Sequence, residues 1–215
     1  QAGNILRLLV VGFFLLGALP SVADKPSEKR EYIAVSAAHA REFGTLMVQN
    51  QQGRTEPFFT YSSELVRKIA RKDKIAGLTP VQLFLEMNLN PSYWSQQPLI
   101  RISNIELQRY LGLSGKYASY TDLITPGAGY RLQGMVQTIY ARPPAQRSKF
   151  DKAVLKTDEK VNICYSIFSG SYLKALPVPG DTDNTHWYVP SEAASRAIHS
   201  EDSLYLADAF PAYFN

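Results

Sequence analysis

One cysteine and three histidines in 215 residues leave little material for metal or thiol chemistry. The lone Cys164 excludes an internal disulfide and with it a disulfide-stapled fold. His39, His186 and His199 are far apart in the chain, so spacing proposes no three-histidine zinc site. There is no His-Glu-x-x-His, no Gly-x-Ser-x-Gly, no phosphate-binding loop and no Cys-x-x-Cys. Gly127-Ala-Gly129 is a bare Gly-x-Gly and reads as a turn. Without Cys-x-x-Cys-His the chain is not itself a c-type cytochrome. No internal repeat is visible.

What is present is material for a core: 45% apolar residues, 13 Tyr, 10 Phe and 2 Trp, with 20% charged. That composition excludes a disordered or collagen-like chain. The net charge of +4 is unevenly placed. Residues 25–160 carry 20 Lys/Arg against 12 Asp/Glu, and residues 161–215 carry 2 against 6. The asymmetry is too mild for a nucleic-acid partner and reads as a solvated basic face.

One long apolar run stands out, Leu8 to Leu19, preceded by Arg7 and followed by Pro20-Ser21-Val22-Ala23-Asp24. A basic start, a short apolar centre and small residues at Ser21 and Ala23 fit a secretory signal cut after Ala23. The stretch from Ile5 to Ala23 equally fits a short membrane span of roughly 28 Å at 1.5 Å per residue. Either reading puts Asp24 onward outside the cytoplasm. The organisation is a hydrophobic membrane segment or signal at 1–24, a charged tether at 25–34, and an extracytoplasmic domain at 35–215.

Within that domain the periodicities predict a mainly α-helical α+β fold with a small β-hairpin. Ser36 caps a short helix that Gly44 stops. Residues 45–49 and 54–59 flank the turn Asn50-Gln-Gln-Gly53, with Pro57 marking an edge strand. A helix from Ser62 to Gly77 carries Leu65, Val66 and Ile69 inward and Arg67, Lys68, Arg71 and Lys72 outward. Thr79-Pro80-Val81-Gln82 is a capping-box start, and a short turn or helix begins at Asn90-Pro91. Pro98 to Ile102 reads as a strand, Ser103-Asn-Ile-Glu106 as another capping box, and a helix ends near Tyr140. The longest helix is predicted over about Arg147 to Phe168, with Phe150, Val154, Val161, Cys164, Tyr165 and Phe168 inward. On that stripe Cys164 reads as a small hydrophobe rather than a nucleophile, and Asp158-Glu159-Lys160 reads as solvated charge. Leu173 to Val178 is a strand candidate, Asp181 to Pro190 a polar loop carrying Trp187, and Ser191 onward a last amphipathic helix.

Several stretches taken together resemble one family. They are His39-Ala-Arg-Glu-Phe-Gly44, Leu46-Met-Val-Gln49, Gly53-Arg-Thr-Glu-Pro57, Thr60-Tyr-Ser-Ser-Glu64 with Arg67-Lys68, and Gly77-Leu78 with Gln82-Leu-Phe84. Pro91 with Trp94, Arg147-Ser-Lys-Phe-Asp-Lys152, Asp158-Glu-Lys-Val-Asn-Ile163 and Ser169-Gly170 follow. In order and spacing they resemble the extracytoplasmic region of Bacteroidetes-like cytochrome c biogenesis proteins of the fused ResB/CcsA type (System II). The resemblance runs from Val35 to Pro190.

That resemblance implies a part in haem delivery to apocytochrome c. It places the domain on the periplasmic side of the bacterial cytoplasmic membrane, beside the remaining membrane helices of the system, and favours a span over a signal at 1–24. Haem–apocytochrome ligation belongs to the full-length protein. No catalytic signature lies in this chain, and the family's tryptophan-rich segment is absent, since Trp94 and Trp187 stand alone. The expected role is therefore docking or scaffolding. The other reading is a secreted or envelope-anchored binding module with a cleaved signal.

Four residues carry the site expectation. His39 opens the first motif, and an imidazole suits iron. Arg54 follows Gly53, whose turn calls for a positive φ that fixes where Arg54 projects. A guanidinium suits the carboxylate of a haem propionate. With Arg67 and Lys68 it forms the expected partner surface, unless it simply pairs with Glu56 or Glu64 and pins the hairpin.

Overall fold

A computed structural model of the chain describes residues 35–199 apart from 126, 179 and 184, with side chains to 195. The hydrophobic segment 1–24, the tether 25–34 and residues beyond 199 lie outside it, and with them the expectation of a signal or membrane helix. Among the described residues no helix is long and apolar enough to cross a membrane.

The fold is mainly helical with small antiparallel two-stranded ladders, an α+β arrangement. Helix α1 (Ala37–Gly44) is capped by Ser36, whose side chain accepts from the His39 amide. Gly44 does not stop α1 by turning left-handed, for Thr45 caps the helix in ordinary αR geometry. Its lack of a side chain serves packing instead. A Cβ there would meet Val81 Cγ2 at 3.3 Å, so the bare backbone lets α1 press against the next layer.

Strands β1 (Met47–Gln49) and β2 (Thr55–Pro57) form the expected hairpin, with Val48 opposite Glu56. Helix α2 (Phe58–Ala70) starts four residues earlier than the pattern suggests. Phe58 and Tyr61 are buried and belong to the helix face, so the second strand ends at Pro57. Its other end also comes early. Arg71 adopts αL geometry at φ 57° and closes the helix, leaving Gly77 to a separate tight turn.

Helix α3 (Pro80–Leu89) carries the Thr79–Gln82 capping box in full. Val81 through Met87 are all buried, so this helix has no solvent face over two turns. Phe43, Phe58 and Phe84 meet edge to face at centroid distances of 5.2 and 5.0 Å, locking α1, α2 and α3 together. Helix α4 (Pro91–Trp94) follows, and strand β3 (Ile100–Arg101) pairs with β4 (Tyr117–Ala118). Between them runs α5 (Ile105–Tyr110), capped by Asn104 rather than Ser103.

Helix α6 (Tyr120–Leu123) leads into β5 (Ile124–Thr125) and β6 (Gly129–Tyr130), a hairpin where the sequence suggested only a loop. Helix α7 (Gln133–Tyr140) packs on α8 (Lys149–Phe168), which starts at a Ser148–Asp151 capping box. The buried stripe of α8 is Val154, Thr157, Val161, Cys164 and Ile167. Tyr165, expected inside, points out and is 57% exposed, and Ile167 takes the inward place. Tyr165 lies one residue, or 100° of helix, beyond Cys164 on the side away from Ile163, which is buried.

Strands β7 (Leu176–Pro177) and β8 (Trp187–Tyr188) pair, so Trp187 sits in a strand and is buried rather than carried on a polar loop. Helix α9 (Pro190–His199) ends the described chain.

Glu86, on α3, is fully buried. Its carboxyl oxygens accept from the Val35 amide, from Asn90 Nδ2 at 3.2 Å and from the Trp94 indole at 3.5 Å. Gln82, one turn earlier, donates to the Val35 carbonyl at 2.9 Å. Glu86→Ala would strand one buried and two half-buried donors. It should lower unfolding stability by about 3 kcal/mol in urea titration, and Glu86→Gln, which keeps one acceptor, by roughly half that.

Candidate functional site

The C-terminal half of α2, strand β3 and one face of α8 line an open cavity of about 730 Å³. Lys149, Lys152, Lys156 and Lys160 recur every three or four residues, which puts all four on one side of α8. Across from them stand Arg67, Lys68 and Arg71, with Arg101 from β3 between. The carboxylates on the lining are Glu64 and Glu159.

Local chemistry fixes this geometry. The Tyr117 hydroxyl donates to the Ala70 carbonyl at 3.1 Å, and the Arg71 amide donates to the Arg67 carbonyl at 2.8 Å. Together they close the end of α2 and set Arg71 at the rim. Lys72 turns away, its ammonium 4.7 Å from the centre of the Tyr117 ring. Arg67 pairs with Asp73 and Lys68 with Glu159, both at 2.6 Å. Lys160 donates to the Arg101 carbonyl and is half-buried. Burial, then the charges of Arg101, Arg71 and Lys156, push its ammonium down to about 8.

Asp158 and its neighbours are not the solvated run that the sequence suggests. Asp158 is buried, and burial raises its carboxyl above the usual range, against a 3.3 Å hydrogen bond from Asn162. The Tyr130 hydroxyl lies beside it, buried without a well-formed hydrogen bond and held neutral by burial and by that carboxylate. Only Glu159 faces out, to Lys68.

His39 is exposed on α1 and lines a separate, mainly apolar pocket of about 340 Å³. Phe43, Phe84, Leu85, Leu89 and Leu173 supply its walls, and the imidazole lies 6.1 Å from the Phe43 ring. A haem site needs an iron ligand, an apolar slot and cations for the propionates. The His39 pocket offers the first two, and no Lys or Arg is among its lining residues. The basic cavity offers cations but neither His nor Cys. The described residues therefore do not assemble a haem site in one place.

Arg54 occupies the β1–β2 turn, where Gly53 has φ 80° as expected. The direction of the turn is set by Asn50, a buried residue that the sequence marked only as part of the turn. Its side-chain oxygen accepts from the Gln52 and Arg54 amides at 3.0 Å each, and its amide group donates to Glu56 at 2.7 Å. Among the described residues no ion pair joins Arg54 to Glu56 or Glu64. Arg54 is exposed and is not among the residues lining the basic cavity, whereas Arg67 and Lys68 are.

Cys164 is fully buried and its thiol is pushed up to about 12 by that burial, which suits a packing residue. No group of His, Cys, Asp or Glu able to hold a metal occurs among the described residues.

The site thus defines a helical domain with a cationic cavity and no assembled catalytic group among the described residues. No family model matches the chain. It is similar to Protein NrfI of Wolinella succinogenes, 31% identical over 189 residues, which is 84% of this chain and 21% of that protein. The chain therefore spans about a fifth of the length of the relative it matches.

Lys160 yields a pH test. Its ammonium gives up its proton near 8 in the fold and near 10.4 in an unfolded chain. Between those values the unfolded state holds more protons, so this group makes stability rise with pH there. Urea titrations should show wild type gaining on Lys160→Met from about pH 8 to about pH 10. Parallel pH profiles would mean that the ammonium is not crowded.

Proposed function

We propose that this domain is the extracytoplasmic part of a membrane-bound cytochrome c maturation protein, on the periplasmic side of the cytoplasmic membrane. The observation that carries the reading is the likeness to NrfI over most of the chain, added to the ordered motifs from His39 to Gly170. Haem is the cargo and apocytochrome c the partner, and the joining chemistry belongs to the full-length protein with its membrane helices. The geometry supports docking, because cations are gathered on one side and no nucleophile–base pair accompanies them. Arg54, Arg67 and Lys68 form the surface offered to apocytochrome c. Asn50 holds the Arg54 backbone from two sides, which gives the guanidinium a fixed base from which to reach an acidic group.

Arg54→Lys in the full-length protein should lower the yield of haem-stained cytochrome c about fivefold, the equivalent of about 1 kcal/mol of lost bidentate contact. The melting temperature should not move. Unchanged yield, or release of the protein from membranes by a carbonate wash, would overturn the reading.

Within this reading His39 is the iron ligand that the domain offers, with the propionates met elsewhere in the machine. Haem added to the purified protein should give a visible spectrum that His39→Ala alters. Identical spectra would remove His39 from the pathway.

A further inference from the structure

Six cations of the α2–β3–α8 cavity have no carboxylate within ion-pair reach among the described residues. They are Arg71, Arg101, Lys149, Lys152, Lys156 and Lys160. Folding makes this arrangement unfavourable in three separate ways. Lys149 and Lys152 sit in the first turn of α8, where the helix dipole opposes positive charge. Lys160 has lost part of its hydration and is crowded by Arg101, Arg71 and Lys156. Arg71 holds a left-handed backbone at φ 57°, and such outliers in side-chain-bearing residues gather at functional sites. An anion in the cavity offsets the first two costs at once.

We propose that this cavity binds a compact ligand carrying two or more phosphate groups. Charge count is the first reason, because six unpaired cations from three elements exceed what one carboxylate, or the pair on a haem, requires. The shape of the donors is the second. Four of the six are lysines, whose ammonium groups meet phosphate oxygens from any direction, and their stripe runs about 16 Å along α8 at 1.5 Å per residue. The lining is the third. Besides charged residues it holds Ile102, Ser103, Asn104, Ala153 and Thr157, so it offers hydroxyl groups but no aromatic face and no imidazole for a macrocycle. The phosphates belong either to a lipid headgroup or to a soluble oligophosphate, and the chemistry is the same. The inference goes beyond the maturation reading and takes from it only the membrane attachment that its test uses.

The test uses the full chain in nanodiscs of phosphatidylcholine with or without cardiolipin, titrated calorimetrically with inorganic tripolyphosphate. In phosphatidylcholine discs, one tripolyphosphate per chain should bind, weakening steeply with salt. The double variant Lys152→Gln, Lys156→Gln should bind at least about tenfold more weakly. Its melting temperature without ligand should equal or exceed that of wild type, because repulsion has been relieved. Lys149→Gln provides a second, single-site reading. Tripolyphosphate excluded from cardiolipin discs would identify a lipid headgroup as the occupant, and equal binding in both discs a soluble one. The proposal is overturned if no saturable binding occurs or if the double variant binds as wild type does. It is also overturned if an oligo-glutamate peptide binds as tightly as tripolyphosphate. Cytochrome c yield plays no part in these readouts, so the maturation reading can fail separately.

Discussion

A carboxyl group removed from water on every side sits at the middle of α3, and the described fold is organised to satisfy it. Seven consecutive residues of that helix, Val81 to Met87, are buried, so α1, α2, α4 and α8 must all find places around it. A helix with no outer face cannot turn its polar residues to solvent, so each must be answered internally. Glu86 receives the Val35 amide, Asn90 and Trp94. Gln82 completes the Thr79 cap and also reaches the Val35 carbonyl. Four-residue spacing lets Gln82 and Glu86 act as neighbours on one side of the helix. The edge-to-face stack of Phe43, Phe58 and Phe84 fills the space beside them.

With the centre fixed in this way, α2 and α8 become two rigid walls, and the cationic cavity is the gap between them. Its residues are separated in sequence by up to 96 positions, from Glu64 to Lys160. The apolar His39 pocket lies elsewhere, against α1 and α3. Imidazole and cations are thus offered by separate surfaces. That division is the geometry behind the docking role proposed above.

Much of the local structure was legible because it is written in short-range chemistry. Ser36, Thr79 with Gln82, and Ser148 with Asp151 are caps that complete their hydrogen bonds within four residues. Gly53 announced its turn by the same logic. Two of the misreadings depend on distant partners. Arg71 ends α2 in a conformation that its residue type disfavours, helped by Tyr117 from another strand. Asp158 looked solvated because its immediate neighbours are charged, yet it is packed beside Tyr130. Ile124 and Tyr130 pair across a loop too short to show strand periodicity. Of the site, the helix-borne cations Arg67 and Lys68 were visible as a stripe. Arg101 and the four lysines facing them were not, because nothing local distinguishes a cation lining a cavity from one in water. Asn50, which builds the turn that aims Arg54, was read merely as a turn residue.

Val35 has both its backbone groups occupied, the amide by Glu86 and the carbonyl by Gln82. Most chains fray where a domain begins, and a tug there is absorbed by peeling a few residues away. Here Val35 is tied to the buried helix α3. A force applied along the chain at this point would be delivered directly to the centre of the core. The domain would then respond by moving as a unit, like a sign bolted to its post rather than hung from a cord.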